Sequence, residues 1–394
     1  MTGNTPARIT VIVGSLNRGG CENHLLQVLP RLDRARFAPE VFTLTERGEL
    51  ATDMEARGVP VRESLTSRWK SRTPVVRLAR LALVSLELFS HLLRHRPKIV
   101  HCFLPGAYLI GAPVSLAAGV RNRLMSRRSL NDYQRRRPFA AKFERRLHSW
   151  MTAIIGNSRQ VVAQLCHEGV ATDRIALIYN GVDADVPMAK RDSTTTLTTF
   201  VIVANLIPYK GHKELLTAFA ELVKSGHEDC RLMVVGRDDG YGVELRAMTG
   251  RLDIAEKVVF LGERDDVPLI LETADVGLLT SYEEGFPNAV LEYMAAGLPV
   301  IVTDASGSAE AVQPGVTGVV VPVGAVADLR DAMAKLALNA ELRERMGAAG
   351  RQAVIDGFSV QSCVEKYELL YSNVMDGVAV HAVPELAIPG EHHL

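Results

Sequence analysis

The sequence predicts an α/β protein built as two doubly wound, Rossmann-like halves, and three observations carry that expectation. Short β-branched apolar runs recur along the chain, each closing on Gly, Asn or Ser and followed by helical periodicity. The runs are apolar on both faces, as strands of a parallel sheet covered on each side must be. At 394 residues the chain exceeds one ordinary core, so two domains are the natural division.

In the first half the strand-like runs are residues 9–13, 39–43, 98–101, 123–126, 153–156 and 174–178; in the second they are 200–204, 231–235, 257–261, 275–279 and 299–303. Residues 191–199, a run of threonines without periodicity, read as the inter-domain linker. The expected domains are therefore 1–190 and 191–357. Beyond them, residues 358–375 form a helix with Val360, Val364, Tyr367 and Tyr371 on one face, fit to return to the N-terminal domain. Residues 376–394 read as a loose tail. In such folds a ligand is expected between the domains, at the C-terminal ends of strands.

Composition narrows the function classes. Lys+Arg and Asp+Glu both total 45, so net charge points to no nucleic-acid partner. Five scattered cysteines, with no CxxC and no Cys/His cluster, support neither a disulfide framework nor a zinc site, and fit a reducing cytoplasm. The N-terminus enters the first strand without a secretory signal's apolar segment. No run reaches the about 18 apolar residues of a membrane span; the nearest, 78–93, is interrupted by Arg80, Glu87 and His91.

Residues 281–297 are the most informative stretch: Ser-Tyr-Glu-Glu-Gly-Phe-Pro-Asn-Ala-Val-Leu-Glu-Tyr-Met-Ala-Ala-Gly. A buried strand, a glycine turn and a helix start converge free backbone N–H groups and the positive dipole end, which makes a phosphate cradle. Pro287 suits the first helical position and Gly297 the residue past the last. Pro287 has no N–H, which leaves those of Gly285, Phe286, Asn288 and Ala289 for the cradle. Glu284 and Glu292 flank it, as a nucleotide sugar with hydroxyls on ribose and sugar would require. Glu292 sits among Ala289, Val290, Leu291 and Met294, where an unpaired carboxylate is unfavourable. The alternative is a surface glutamate.

Other motifs extend the pattern. Gly19-Gly20 closes the loop after the first strand and opens a helix at 21–32; it is either a backbone approach to a ligand or an ordinary tight turn, and it lacks the dinucleotide-fingerprint spacing. Asn157-Ser158 and Asn180-Gly181-Val182-Asp183 follow strands, Ala204-Asn205-Leu206 leads to Lys210-Gly211, Gly236 and Gly262 end strands, and Thr303-Asp304 leads to Glu310. In this order the motifs resemble those of a retaining glycosyltransferase of the GT-B fold, family 4-like, the group that includes bacterial polysaccharide and lipopolysaccharide sugar transferases. The resemblance spans roughly residues 8–375 and is strongest at 200–323.

The resemblance implies two Rossmann-like domains facing across a cleft, the N-terminal one for the acceptor and the C-terminal one for the donor. It implies a UDP- or GDP-sugar as substrate, no cofactor and no metal. It assigns Glu292 to the ribose, Glu284 to the donor sugar, Lys210 to the diphosphate, and a catalytic position at His101. Gly19, Gly20, Asn205, Gly236, Gly262 and Arg264 join the donor site. Relatives commonly carry arginine at Asn205, so a cationic contact is absent there unless Arg264 or Arg18 supplies it. Where relatives have further histidines this chain has Phe103 and Gly106. Asp183-Ala184-Asp185 imitates a metal motif of another glycosyltransferase fold but falls in the crossover, and is read as loop.

Residues 121–146 hold ten Lys or Arg against Asp132 and Glu144, with Tyr133, Phe139 and Phe143 interspersed. Three readings compete: a solvated helical face, nucleic acid, or an anionic membrane or lipid-linked diphosphate. Without a stacking platform nucleic acid is set aside. The third is favoured, with Arg127, Arg128, Arg135, Arg136 and Arg137 as acceptor or membrane residues, and 78–96 is either an added interfacial helix or core. The expected protein is thus a cytoplasmic sugar transferase acting on a glycan or lipid-linked glycan, at the inner face of the membrane. A non-catalytic nucleotide-sugar binder and a sugar-nucleotide epimerase are the alternatives.

Overall fold

The computed structural model describes residues 5–68, 73–130, 134, 138–189 and 197–386. Two compact units emerge, one of Met1–Tyr179 with Gln361–Leu394, the other of Asn180–Val360.

The first unit runs β1 (Ala7–Val13), α1 (Gly20–Val28), β2 (Phe37–Thr43), α2 (Ala51–Ala56), β3 (Val61–Glu63), α3 (Pro74–His95), β4 (Ile99–Phe103) and α4 (Leu104–Ala117). It continues through β5 (Asn122–Arg127), α5 (Pro138–His148), β6 (Ala153–Gly156), α6 (Arg159–His167) and β7 (Ile175–Leu177). The second runs β8 (Thr198–Val203), α7 (His212–Lys224), β9 (Cys230–Val235), α8 (Gly242–Arg251), β10 (Val258–Gly262), α9 (Val267–Leu271) and β11 (Val276–Leu279). It closes with α10 (Asn288–Ala295), β12 (Val300–Thr303), β13 (Gly318–Val321), α11 (Val326–Leu338) and α12 (Ala340–Ala353). Helix α13 (Val360–Asp376) then belongs almost wholly to the first unit.

Both sheets are parallel throughout, in the orders β3-β2-β1-β4-β5-β6-β7 and β10-β9-β8-β11-β12-β13. In each, the strand order reverses between the first and fourth strands, β1/β4 and β8/β11, which is where such sheets open a ligand crevice. Alternation along β4 sorts its side chains. Val100 and Cys102 enter a core with α3, α4 and α5, while His101 and Phe103 point to the opposite face, towards α1 and α13.

All eleven expected strands are present, but two are additional. β3 is three residues long and β13 follows a glycine turn, so neither shows a long enough apolar run to stand out. The threonine run is also partly strand. Thr198 and Thr199 are buried in β8, where the Thr199 N–H donates to Asp275 Oδ2 at 2.8 Å and the Thr198 hydroxyl to Ala337 O at 3.4 Å. The crossover comes earlier than 190. Val182 pairs with the chain at Ser359, its N–H donating to Phe358 O at 3.0 Å, and this ties the segment to the second unit. The expected tail is docked as far as Leu386: Val380, Val383 and Leu386 are buried, and the Leu177 N–H donates to Leu386 O at 3.1 Å. Residues 387–394 lie outside the described residues.

Candidate active site

The second unit assembles its site at the C-terminal ends of β8 and β11. After β8 the chain makes one 3-10 turn, Pro208–Lys210, and passes through Gly211 at φ 72° into α7. A Cβ on Gly211 would lie 2.0 Å from Thr280 O, so only glycine permits this approach. The Thr280 hydroxyl donates to Lys210 O (3.0 Å) and Gly211 O (3.2 Å), and the Tyr282 N–H to Tyr209 O (2.8 Å). The loop is thereby strapped to the end of β11. This places Lys210 Nζ 2.5 Å from Glu284 Oε1, which also accepts from the Ser281 hydroxyl at 2.6 Å. Both side chains are mostly but not fully covered, at 16% and 11% exposure, so a ligand can reach them.

Helix α10 starts one residue later than expected. Pro287 is its N-cap, with extended backbone, rather than its first helical residue, and Gly297 at φ 75° follows its end. The first N–H groups of α10 have no intrahelical acceptor. Asn180 fixes the turn before it, donating to Phe286 O at 2.7 Å and Asn288 Oδ1 at 2.6 Å. The Phe286 ring is buried against Phe358. Gly307 brings a second turn close: its N–H donates to Glu284 O at 3.3 Å, and a Cβ there would strike Gly285 O at 1.6 Å.

One turn into α10 stands Glu292. Some of its surface is accessible, yet protein surrounds the carboxyl, and burial raises its pKa above the ordinary 4.5. Among the described residues it makes no side-chain hydrogen bond and no ion pair. A carboxylate left so in an apolar setting is unfavourable for stability unless a ligand completes it.

The strand ends around this pair are packed backbone to backbone. Gly236 (φ 152°) would place a Cβ 2.1 Å from Ala204 O, and its N–H donates to Gly262 O at 2.8 Å. Asn205 Oδ1 accepts from the Arg237 N–H at 3.2 Å, and Asn205 O lies 3.0 Å from His212 Nε2; among the described residues the Asn205 amide N–H groups make no hydrogen bond. Buried His212 is held below its ordinary pKa by burial, so it is neutral and donates from Nε2. Arg264 is exposed and forks onto Asp266 at 2.7 and 2.5 Å. Arg18, in the first unit, pairs with Glu49 at 3.4 Å. The guanidinium expected to stand in for Asn205 is thus engaged elsewhere in both cases.

Tyr293 carries a role that its sequence context does not mark. It is buried, accepts the Val203 N–H at 2.6 Å and donates to Leu278 O at 3.2 Å, so it holds α10 to β8 and β11 where they diverge. Gly277 makes room, since a Cβ there would meet the ring at 2.4 Å. The available signal is the pairing of a glycine inside β11 with a tyrosine beside the site glutamate.

The first unit brings corrections. His101 is not an accessible catalytic group. It is fully buried, with Nδ1 2.9 Å from the Tyr371 hydroxyl and Nε2 2.9 Å from the Ser126 hydroxyl. Burial, with a smaller effect of Arg128, lowers its pKa to about 3. Arg127 is not an acceptor or membrane residue either. It is fully buried, donating to Glu144 Oε1 at 2.5 Å and Glu168 Oε1 at 2.6 Å, and Glu168 also pairs with His148 at 2.9 Å. The His148 and Arg127 hydrogen bonds override burial and bring Glu168 down to about 2. Arg128, the next residue, is half-buried and shifts the titration of Cys21, Glu22, His24 and Tyr367. Arg135, Arg136 and Arg137 lie outside the described residues. Gly19 caps α1 with extended backbone and Gly20 is its first residue, beside open space.

The crossover aspartates form a local turn, Asp183 Oδ1 accepting the Asp185 N–H at 3.0 Å. Among the described residues one trio, Glu40, His91 and His95, holds potential metal-ligand atoms within 4.8 Å of one another. Its Glu40 already accepts from Thr10 and pairs with His91, each at 2.8 Å.

The second unit thus offers a free helix start after β11, the Lys210–Glu284 pair held to the end of that strand, and a carboxyl on the same helix, that of Glu292, which no described residue pairs. Residues 186–353 match the family Glycosyl transferases group 1, and residues 18–186 match Glycosyltransferase Family 4. The chain belongs to the GT-B-fold glycosyltransferases that these two domains build. It is 32% identical over 219 residues to N-acetyl-alpha-D-glucosaminyl L-malate synthase of Bacillus anthracis, which covers 53% of this chain and 56% of that one. It is 33% identical over 223 residues to phosphatidyl-myo-inositol mannosyltransferase of Mycobacterium leprae, covering 54% of this chain and 58% of the relative. The chain thus spans little more than half the length of these curated relatives. Among solved structures, Anabaena HepE in complex with UDP and glucose superposes with TM-score 0.79 at 20% identity, over 93% of this chain and 99% of that one, a likeness of fold.

Proposed function

We propose that the protein transfers a sugar from a nucleoside diphosphate donor to a hydroxyl of a glycan or lipid-linked glycan, with retention of anomeric configuration. The observation that carries this reading is the contact of Lys210 with Glu284 at the strand reversal, in the same unit as a Glu292 carboxyl that no described residue pairs. Two relatives named for sugar transfer and a fold neighbour solved with UDP and glucose support it. The donor is a UDP- or GDP-sugar.

In this reading Lys210 and the first N–H groups of α10 meet the diphosphate, while Glu292 accepts the ribose hydroxyls and Glu284 orients the sugar. The bond between the anomeric carbon and the β-phosphate oxygen breaks with its electron pair on the phosphate. The acceptor oxygen bonds to the same face of the sugar, and its proton passes to the leaving diphosphate. The positive charge that stabilises this departure comes from an ammonium and a helix tip, so the transfer is metal-independent. A lipid-linked acceptor sets the work at the inner face of the cytoplasmic membrane.

The test is turnover of UDP- and GDP-sugars by the purified protein with and without Lys210→Ala. Removal of a preorganised charge should lower kcat about 100- to 1000-fold. An unimpaired variant would overturn the assignment. Anomeric NMR of the donor incubated alone separates transfer from epimerisation, and activity retained in EDTA checks the metal independence.

A further inference from the structure

We propose that the first unit carries a membrane-docking face formed jointly by α3, α4 and α5, with an anionic lipid bilayer as its occupant. Helix α4 packs against both α3 and α5. All three bury one stripe in a single core cluster, through Val84, Leu88 and Leu92, Ala107, Tyr108 and Ala112, and Leu147. They therefore cover one side of the sheet, and their opposite stripes share one outer face.

That face is apolar where it should be polar. On α3, Val75, Leu78, Leu86 and Leu93 fall on one stripe and are 78%, 68%, 63% and 47% exposed. From Pro74 to Leu83 no residue is buried, so the start of this helix overhangs the core. On α5, Phe139 and Phe143 are 90% and 46% exposed. Exposed apolar side chains grouped on one face mark a contact surface.

Charge selects the occupant. Every exposed charged residue on the three helices is basic: Arg77 and Arg94 on α3, and Lys142, Arg145 and Arg146 on α5, while α4 has none. The two acids are turned inward. Glu87 accepts from the Ser64 hydroxyl (2.7 Å) and the Leu65 N–H (3.0 Å), and Glu144 is buried against Arg127. A second copy of this face would meet it with like charge, and a neutral surface would leave the cations without partners. Anionic head groups satisfy the cations while acyl chains receive the leucines and phenylalanines. The inference deepens the proposed lipid-linked acceptor but stands on this surface alone, without Arg127.

The full chain should co-sediment with phosphatidylcholine vesicles that contain phosphatidylglycerol, and less as salt rises. Leu78→Asp combined with Phe139→Asp should weaken binding about tenfold or more, whereas Val243→Asp, at 80% exposure in the second unit, should leave it unchanged. Both substituted positions are exposed, so folding is retained, which circular dichroism verifies. Wild-type protein that ignores anionic vesicles, a double variant that binds like wild type, or a wild-type dimer in sedimentation that the same pair dissociates would each overturn the proposal. Turnover of a water-soluble acceptor should persist in the double variant. Its loss in Lys210→Ala with vesicle binding intact keeps the two readings separable.

Discussion

The hydroxyl of Tyr293 accepts the last backbone N–H of β8, that of Val203, at 2.6 Å, while its proton goes to Leu278 O in β11. One side chain on α10 thereby spans the point where the sheet reverses. The helix that carries Glu292 is registered by this link, because Glu292 and Tyr293 are neighbours. Tyr293→Phe leaves a buried N–H unsatisfied, which costs about 1–3 kcal/mol. Denaturant unfolding should show that loss. The KM for the nucleotide sugar should rise several-fold with a smaller effect on kcat, since the variant misplaces a binding group and leaves Lys210 untouched.

Glu292 is expected to trade stability for binding. Burial raises its pKa above 4.5, so the folded protein holds the proton more tightly than the unfolded chain does. The folded state is then favoured below the unfolded pKa, and that advantage is lost as pH rises through the folded one. Once ionised, the buried carboxylate is a liability in the empty protein. Glu292→Gln should raise the apo Tm at pH 7 and flatten its decline above pH 4.5. The same variant should lose most of the Tm increase that UDP or GDP gives the wild type. A variant that is neutral in both readouts would remove Glu292 from the ribose position.

Much of this site is legible in the sequence, because its parts are local. The strand, glycine turn and helix start proposed to hold the diphosphate all fall within residues 276–297, and strands buried on both faces appear as apolar runs. What the sequence does not disclose is which distant group answers a polar side chain. Arg127 and Arg128 look alike in a basic stretch. Alternation along the chain end of β5 separates them, and the partners of Arg127 come from elsewhere, Glu144 from α5 and Glu168 from the C-cap of α6. His101 resembles a catalytic residue at a strand end until Tyr371, far along the chain, closes one ring nitrogen and Ser126 the other. Short strands such as β3 carry too few residues for periodicity to register.

His101 should therefore behave as a structural residue. Held neutral down to about pH 3 in the fold, against 6.5 ordinarily, it takes up a proton more readily when the chain unfolds. Stability from this group is intact above pH 6.5 and falls as pH drops towards 3, by up to about 1.4 kcal/mol per unit. His101→Gln should lower unfolding free energy by roughly 1–3 kcal/mol and reduce this acid sensitivity. The kcat per folded molecule should change less than about threefold, far below a charge-stabiliser's loss. A fall of 100-fold at unchanged fold would restore His101 to the catalytic set.

Gly211 tests the strap that positions Lys210. Its φ of 72° and the 2.0 Å approach of a notional Cβ to Thr280 O leave no room for alanine. Gly211→Ala must shift the Pro208–Lys210 turn away from β11, breaking the hydrogen bonds from the Thr280 hydroxyl to Lys210 O and Gly211 O. Strain of this kind costs about 1–3 kcal/mol, to be read by thermal unfolding. The sharper readout is kinetic. If the strap sets the distance between Lys210 and Glu284, kcat should fall towards the level of Lys210→Ala even where the variant remains folded at the assay temperature. A folded Gly211→Ala protein with normal kcat would show that the ammonium reaches the diphosphate without the strap.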